Sequence, residues 1–192
     1  MTTHGSNEVE VKFLVRDAEA LVRSLRSAGF HEETPSTFEA NTLYDSVAGD
    51  LRRAGEILRL REYGGRWRIT HKSRGAAVKH KSRIERETAV ASGDEMHAIL
   101  TALGYTPAFR YEKYRAEWSD GTGEVVIDRT PIGILAEIEG DPGWIDRIAK
   151  AIGLSESDYI TASYAELFFR WKQRTGSSAR NMTFEECGTP RP

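Results

Sequence analysis

Apolar and polar residues alternate in short stretches that are spread along most of the chain. Because side chains two positions apart lie on the same face of a strand, this alternation predicts β-strands. Two glycines, Gly64 and Gly65, separate two such stretches and predict a tight hairpin turn. The predicted strands cover residues 8–15, 40–46, 56–63, 66–72, 83–90, 109–118, 124–129 and 134–139.

Four further segments space their apolar residues as amphipathic helices do. Asp17, Asp141 and either Ser92 or Asp94 are suited to cap the first turn of three of them. The fourth helix is expected from about residue 162 to residue 172. Many strands with few helices predict an α+β fold whose sheet is mainly antiparallel.

Nearly every predicted strand has one charged face and one apolar face. In the first strand, Glu8, Glu10 and Lys12 share a face, and the residues between them are apolar. The same pattern repeats in later strands. Their charged faces carry Arg59, Arg61, Arg68, Lys72, Arg83, Glu85, Glu87, Lys113, Arg115, Asp128, Glu137 and Glu139.

The helices must bury their apolar stripes, and the apolar strand faces are the large surfaces that can cover them. If the helices pack outside, the charged faces point inward in an eight-stranded antiparallel β-barrel flanked by helices. Buried charge is costly unless it is paired or bound to a ligand, so this interior predicts a solvated tunnel with a highly charged ligand. An open sheet with one wet, charged face is the alternative.

The composition narrows the choice of partners. The chain has 192 residues, and its 27 Lys and Arg nearly balance its 29 Asp and Glu, which argues against general nucleic-acid binding. No apolar run has the length of a membrane span, so no membrane partner is expected. A single cysteine, Cys187, allows no intrachain disulfide and favours a cytoplasmic location. We expect one domain over residues 1–175 and a polar, loosely held tail over residues 176–192, although Met182 and Phe184 can dock.

Two carboxylate pairs are candidate metal ligands. Glu8 and Glu10, like Glu137 and Glu139, are two positions apart on a strand and can reach one cation from the same side. Asp128 can add a fifth oxygen. An all-oxygen site favours Mg²⁺ or Mn²⁺ over zinc, which prefers His or Cys.

The basic side chains match a chain of phosphates, because arginine binds phosphate oxygens in pairs and lysine supplies a point charge. A triphosphate, with roughly four negative charges and bridging metal ions, accounts for so many cations. For Glu85 and Glu87, metal binding and orientation of neighbouring cations both stay open. The candidate substrate-binding residues are Lys12, Arg59, Arg61, Lys72, Arg83, Lys113 and Arg115.

The segment Glu8-Val9-Glu10-Val11-Lys12 resembles the ExExK signature of the CYTH superfamily, the triphosphate tunnel metalloenzymes. The resemblance extends from residue 8 to about residue 170. The segment Ala162-Ser163-Tyr164-Ala165-Glu166-Leu167 and the chain length resemble the branch with class IV adenylyl cyclases and thiamine triphosphatases. Further matching segments are Leu58-Arg59-Leu60-Arg61, Ile69-Thr70-His71-Lys72, Arg83-Ile84-Glu85-Arg86-Glu87, Lys113-Tyr114-Arg115, Val126-Ile127-Asp128-Arg129 and Leu135-Ala136-Glu137-Ile138-Glu139-Gly140.

The resemblance implies an eight-stranded tunnel, dependence on Mg²⁺ or Mn²⁺, metal ligation by the ExExK and late glutamates, and a triphosphate held by the basic strands. Hydrolysis of tripolyphosphate or an organic triphosphate such as thiamine triphosphate is the leading hypothesis. In it, Glu10 helps to hold the catalytic metal, and Lys72 positions the phosphate chain or the nucleophile.

Two other functions stay open. In a class IV adenylyl cyclase, the ribose hydroxyl of ATP replaces water as nucleophile, and the products are cAMP and pyrophosphate. A non-catalytic polyphosphate- or nucleotide-binding module would use the same cations but gains nothing from buried acids. No aromatic and basic platform for an RNA strand is evident, and both a monomer and a homodimer are compatible with the sequence.

Overall fold

The computed structural model describes residues 6–74, 76–77 and 80–192. All eight predicted strands are present, and those predicted at 40–46 and 109–118 begin earlier, at residues 31 and 105. The strands are β1 Ser6–Leu14, β2 His31–Ser46, β3 Ile57–Tyr63, β4 Arg66–Lys72, β5 Ala76–Ala77, β6 Lys81–Val90, β7 Tyr105–Ser119, β8 Glu124–Thr130 and β9 Gly133–Glu139. The helices are α1 Ala18–Ser27, α2 Asp50–Ala54, α3 Gly93–Ala102, α4 Pro142–Ala151, α5 Tyr164–Thr175 and α6 Phe184–Cys187, with a 3₁₀ turn at Glu156–Asp158.

Eight strands of the described chain form a closed antiparallel barrel. Neighbouring strands follow the order β1-β9-β8-β7-β2-β3-β4-β6, and pairing of β1 with β6 closes the ring. The two-residue strand β5 pairs with β6 outside this ring. The predicted barrel is therefore confirmed, and the open-sheet alternative is wrong.

Local signals in the sequence account for the ends of several elements. The side chains of Asp17, Ser92 and Asp141 accept hydrogen bonds from backbone amides in the first turns of α1, α3 and α4, as predicted. Gly64 and Gly65 join β3 to β4 with φ angles of 56° and 72°. Positive φ at both positions is what a two-residue hairpin turn requires, and glycine adopts it without strain.

The main apolar core lies between the outside of the barrel and two helices. Val11 of β1, Val125 of β8 and Ile138 of β9 are buried against one another and against α1 and α4. Leu25 and Ile145 are the fully buried contributions of these helices. A smaller cluster beneath α3 covers the other side of the barrel. Apolar faces therefore point outward to the helices, and the charged faces remain for the interior.

Helix α5 packs across one end of the barrel instead of lying along its outer wall. Phe109 and Tyr111 project from the inward face of β7 and contact Phe168 of α5. The rings of Tyr111 and Tyr164 stack with their centroids 5.6 Å apart. Aromatic side chains of β7 and α5 thus line this part of the interior.

The C-terminal segment docks through Met182 and Phe184, as the sequence analysis allowed, whereas the loose hold expected for residues 176–192 is not what the structure shows. Met182 is fully buried, and it pairs with Tyr111 in a parallel bridge. The Met182 amide donates to the Arg110 carbonyl at 3.0 Å, and the Glu112 amide donates to the Met182 carbonyl at 3.0 Å. Because β8 pairs with β7 only from Tyr114 onward, residue 182 satisfies backbone groups that β8 leaves open.

Replacement of Met182 should measure how much this docking stabilises the fold. Met182→Ala leaves a cavity beside Tyr111 and Phe168, and we expect it to lower the free energy of unfolding by about 2–5 kcal/mol. Urea unfolding followed by circular dichroism measures the change. Glu185→Ala, at an exposed position of the same segment, is the control and should change the stability little. Equal, small effects of both variants would contradict the docked position.

Candidate active site

The interior of the barrel, which we call the lumen, belongs to a cavity of about 1890 Å³ to which all eight strands of the ring contribute side chains. The cavity lining includes almost every site residue that the sequence predicts; Asp128 is the exception. The predicted residues in the lining are Glu8, Glu10, Lys12, Arg59, Arg61, Lys72, Arg83, Lys113, Arg115, Glu137 and Glu139.

Three carboxylates, Glu8, Glu10 and Glu139, form a group on β1 and β9 that we call the carboxylate row. Glu10 lies directly opposite Glu139 in the strand pair, and Glu8 is two residues away on the same face. Opposed residues of this kind have Cβ atoms about 4.5–5.5 Å apart, and like charges there repel each other. The row therefore concentrates negative charge on one side of the lumen.

Two lysines neutralise part of this charge. The ammonium of Lys72 lies 2.6 Å from both carboxylate oxygens of Glu8, and that of Lys81 lies 2.6 Å from Glu10. Glu139 retains accessible surface in the lumen, but protein surrounds it closely enough that desolvation and repulsion by Glu8 raise its pKa to about 8. At neutral pH most of the Glu139 carboxyl is therefore protonated, which removes the charge of the row that the two lysines do not offset.

The chemistry of the carboxylate row suits a hard divalent cation, because its donors are all oxygen. Within the described residues, no three His, Cys, Asp or Glu side chains stand ready as a metal-binding group. Glu8 and Glu10 instead point at their lysines. A metal ion fits this row if Lys72 and Lys81 turn away from the carboxylates that they now contact.

Glu137, the fourth predicted metal ligand, is engaged by cations. Its carboxylate lies 2.6 Å from the ammonium of Lys12 and 2.6 Å from the guanidinium of Arg115. Burial alone would raise the pKa of Glu137, but Lys12 and Arg115 outweigh burial and hold it well below the ordinary value. In this arrangement Glu137 neutralises and orients basic side chains.

Asp128, the fifth predicted metal ligand, is fully buried behind the lumen wall. Arg115 donates to both of its oxygens at 2.8 and 2.6 Å, and Lys113 donates at 3.0 Å. The hydroxyl of Tyr164 donates to the same carboxylate. Both of its oxygens already accept hydrogen bonds from these donors. The geometry therefore favours positioning of Lys113 and Arg115, and not metal ligation, as the role of Asp128.

Four cations on β3 and β7, namely Arg59, Arg61, Lys113 and Arg115, form what we call the basic wall. Glu39 of β2 lies between them and is fully buried. Burial would raise its pKa, but Lys113, Arg115 and the two other arginines outweigh burial and lower it to about 2. Glu39 was not among the predicted site residues because the strand was predicted to begin at residue 40.

Arg83 lines the lumen and has guanidinium donors that the described part of the protein does not satisfy. Its Nε and Nη1 atoms are buried and have no hydrogen-bond partner among the described residues. On the strand pair it lies opposite Glu8, beside the carboxylate row. An unsatisfied buried donor costs free energy, and a phosphate oxygen accepts from guanidinium groups well. Arg83 is thus prepared for an anionic ligand.

Lys72, the predicted catalytic lysine, lies between Glu8 and Glu85, with its ammonium 2.7 Å from the latter. Burial and the charge of Arg59 would lower the pKa of Lys72, but the two carboxylates outweigh them and raise it. Lys72 therefore stays protonated near neutral pH. It can hold a phosphate oxygen or donate a hydrogen bond, but it cannot accept a proton from the nucleophile.

Of the two roles left open for Glu85 and Glu87, orientation of cations fits their contacts better. Glu87 accepts hydrogen bonds from Arg61 at 3.1 Å, Arg68 at 3.0 Å and Thr70 at 2.7 Å. Glu85 holds Lys72. These carboxylates fix the inward side chains of β3 and β4.

Lys81 and Tyr164 were likewise not among the predicted site residues. Lys81 shares the inward face of β6 with Arg83, but it lies two residues before the predicted start of that strand. The Tyr164 ring covers two lumen cations, with Lys12 Nζ 4.8 Å and Lys113 Nζ 5.0 Å from its centroid. No strand periodicity could reveal Tyr164, because it reaches the lumen from a helix.

A closed antiparallel barrel with charged strand faces turned inward defines the class of this fold. A family model for the CYTH domain matches residues 6–141, and the chain belongs to this family. A "Putative adenylate cyclase" from Methanocaldococcus jannaschii is 26% identical over 171 residues, which cover 83% of this chain and 97% of that protein.

Solved structures share the fold at lower identity. A "putative adenylate cyclase" from Vibrio parahaemolyticus superposes with a TM-score of 0.76 at 23% identity, covering 86% of this chain and 99% of the other. A "Putative adenylyl cyclase" from Hippeastrum superposes with a TM-score of 0.63 at 20% identity, covering 85% and 95%. Among the described residues, no helix is both long enough and apolar enough to cross a membrane.

The raised pKa of Glu139 should make the stability of the metal-free protein depend on pH. A carboxyl that holds its proton more tightly when folded stabilises the fold at low pH. This contribution is full below the ordinary pKa of 4.5 and is lost as the pH rises through about 8. In EDTA, urea unfolding across this window should show a smaller decline in stability for Glu139→Gln than for the wild type.

Glu62→Gln is a matched control for this measurement, because Glu62 lies on β3 next to the inward-facing Arg61 and on the opposite face. It should leave the slope of stability against pH unchanged. Identical slopes for Glu139→Gln and the wild type would show that Glu139 has an ordinary pKa in the folded protein.

Proposed function

We propose that this protein hydrolyses a triphosphate in the lumen with Mg²⁺ or Mn²⁺, the substrate being inorganic tripolyphosphate or an organic triphosphate such as thiamine triphosphate. The observation that carries the proposal is that one cavity has a basic surface and an acidic surface side by side. Arg83, whose buried Nε and Nη1 donors are unsatisfied within the described chain, lines the lumen beside the carboxylate row of Glu8, Glu10 and Glu139. An anion with bound metal satisfies both surfaces at once.

The basic wall favours a chain of phosphate groups over a single phosphate group as the ligand. Arg59 and Arg61 on β3 and Lys113 and Arg115 on β7 line the same cavity as Arg83. These cations exceed what one phosphate group can contact, whereas three linked groups extend along several of them. Lys12 and Lys72 add further charge on the side of the carboxylate row.

Glu8, Glu10 and Glu139 are the residues that would hold the metal ion. Bound there, Mg²⁺ or Mn²⁺ supplies Lewis acidity that polarises phosphate oxygens and activates water. Lys72 and Lys81, which neutralise Glu8 and Glu10 in the metal-free protein, are then free to contact phosphate. A protonated Lys72 beside the row can hold the phosphate chain in the orientation that an in-line attack needs.

Hydrolysis is favoured over cyclisation because water can reach the site. Glu139 retains accessible surface in the lumen, and the cavity of about 1890 Å³ has room for solvent beside the substrate. Cyclisation requires the ribose hydroxyl to lie in line with the α-phosphate while water is kept away from it. Hydrolysis makes fewer demands on the same residues.

Conversion of ATP to cAMP and pyrophosphate is the second candidate, and the name of the Methanocaldococcus jannaschii relative supports it. The Hippeastrum protein, described as having a "dominant" triphosphatase activity despite its cyclase name, supports the first. A purely binding module is disfavoured, because three clustered carboxylates weaken the binding of an anion unless a metal ion joins them.

Activity against a panel of substrates should test both the metal and the reaction. With Mg²⁺ or Mn²⁺, we expect orthophosphate and a diphosphate as products, with tripolyphosphate or thiamine triphosphate preferred to ATP. EDTA should abolish turnover. Glu10→Gln and Glu139→Gln should lower it by several orders of magnitude, because each removes an oxygen donor for the metal.

Folding of these variants is checked by circular dichroism, and Glu62→Gln on the outside of the barrel serves as the control of equal charge change. Unchanged turnover in Glu10→Gln or Glu139→Gln would overturn the ligand assignment. If ATP yields cAMP and pyrophosphate as main products, the hydrolase proposal is wrong and the cyclase candidate stands.

Arg83 should report whether the site binds a phosphate chain. Tripolyphosphate with Mg²⁺ at about 100 times its dissociation constant should stabilise the protein by about 2.7 kcal/mol, and orthophosphate should stabilise it less. Arg83→Ala should weaken the stabilisation because it removes a charge-assisted contact. Arg129→Ala, at an exposed position of β8, is the control. Equal melting-temperature shifts for orthophosphate and tripolyphosphate would mean that the site does not recognise a chain.

A further inference from the structure

Glu39 is a fully buried carboxylate that has no role in the proposed reaction. It projects toward the lumen, since it lies opposite Lys113 on β7 and Tyr63 on β3 in the two strand pairs. The cations of the basic wall line the cavity, whereas Glu39 does not. It therefore lies behind the side chains that face the lumen.

The basic wall consists of two pairs of cations on different strands, and other carboxylates hold each pair separately. Glu87 contacts Arg59 at 3.4 Å and Arg61 at 3.1 Å on β3. Asp128 contacts Lys113 and Arg115 on β7. These contacts fix each pair within itself but do not fix the distance between the pairs.

Glu39 lies on β2, the strand between β3 and β7, and contacts both pairs. One of its oxygens is 3.3 Å from the Lys113 ammonium, and the other is 3.8 Å from Arg61 and 3.9 Å from Arg115. Asn41 donates to the first oxygen at 2.9 Å and helps to fix the carboxylate. The second oxygen has no hydrogen-bond partner.

These distances separate electrostatic attraction from hydrogen bonding. At 3.8 and 3.9 Å the two guanidinium groups are attracted electrostatically by Glu39, but they donate no hydrogen bond to it. Glu39 therefore adds no hydrogen bond to those that Arg61 makes to Glu87 and that Arg115 makes to Asp128 and Glu137. One buried negative charge thus offsets the repulsion among the cations without neutralising them.

We propose that Glu39 is a positioning residue that holds the β3 cations and the β7 cations at the separation at which both contact one phosphate chain. It contacts no substrate itself. The inference rests on the proposed binding of a triphosphate in the lumen. Removal of the Glu39 charge should let the two pairs move apart, because no other carboxylate among the described residues contacts both pairs.

The test compares Glu39→Gln, which keeps the size of the side chain, with the control Glu62→Gln on the outer face of β3. Tripolyphosphate binding is measured by calorimetry without metal, and turnover is measured with Mg²⁺. Without the negative charge of Glu39 the lumen attracts the anion more strongly, which favours binding. The displaced cations orient the bound anion less well, which lowers turnover. We expect the dissociation constant to change by less than about threefold and kcat to fall at least tenfold.

Glu39→Asp retains the charge but withdraws the carboxylate by one methylene group, so its kcat should lie between those of the wild type and Glu39→Gln. If Glu39→Gln does not fold, the decision rests on Glu39→Asp. A lowered kcat in the folded Asp variant then supports the inference, and an unchanged kcat overturns it. A kcat of Glu39→Gln within about twofold of the Glu62→Gln control also overturns it.

A crystal structure separates this inference from the proposed function. In Glu39→Gln, the Arg61 and Arg115 guanidinium groups should lie farther apart than in the wild type, whatever the reaction. Unchanged positions of both groups would overturn the inference even if the enzyme hydrolyses triphosphates. Failure of the wild-type protein to bind any triphosphate would contradict the proposed function. The positions of the cations in the Glu39→Gln structure would then still show whether Glu39 holds the two pairs together.

Discussion

Ion pairs between side chains inside the barrel are the interactions on which the rest of this structure depends. Taking charges out of water costs several kcal/mol each, and the barrel tolerates them because acids and bases meet at short range. Lys12 meets Glu137 at 2.6 Å, and Lys72 meets Glu8 at 2.6 Å. With charges balanced inside, the outer faces can be apolar and hold the helices. The same alternation therefore builds the core outside the barrel and the site within it.

The internal pairs also explain how one cavity can serve an anion and a cation. Cations near the carboxylate row balance acids that suit a metal ion, while the basic wall is held from behind by Asp128 and Glu39. A ligand that carries both phosphate and metal can replace lysine–carboxylate contacts without leaving either partner uncompensated. Phosphate alone would leave the carboxylates without a countercharge, and a metal ion alone would leave the lysines without one. The lumen is accordingly suited to a metal-bound phosphate chain.

Much of this architecture could be predicted from the sequence because strand periodicity is local and the charged pattern repeats in nearly every strand. The barrel and the inward faces follow from residues such as Glu8, Arg59 and Lys113. What periodicity does not contain is which inward side chains meet. Asp128 looked like the carboxylates of the row, but the strand register sets it beside Arg115 and away from Glu139.

Other features depend on contacts between distant segments. The tail is polar in composition, yet Met182 fills a place that exists only because β8 ends beside β7. Tyr164 reaches Lys12 from a helix that crosses the end of the barrel. Glu39 could have been found by extending the alternation of β2 by one residue, and that would have placed an acid among the basic strands.

The central claim is that one metal-bound triphosphate lies between the carboxylate row and the basic wall. A crystal structure with Mn²⁺ and tripolyphosphate, including anomalous diffraction from manganese, tests it most directly. The account predicts manganese in contact with Glu8, Glu10 and Glu139, with phosphate groups extending toward Arg59, Lys113 and Arg115. Manganese bound at Asp128, or a phosphate chain bound outside the lumen, would contradict it.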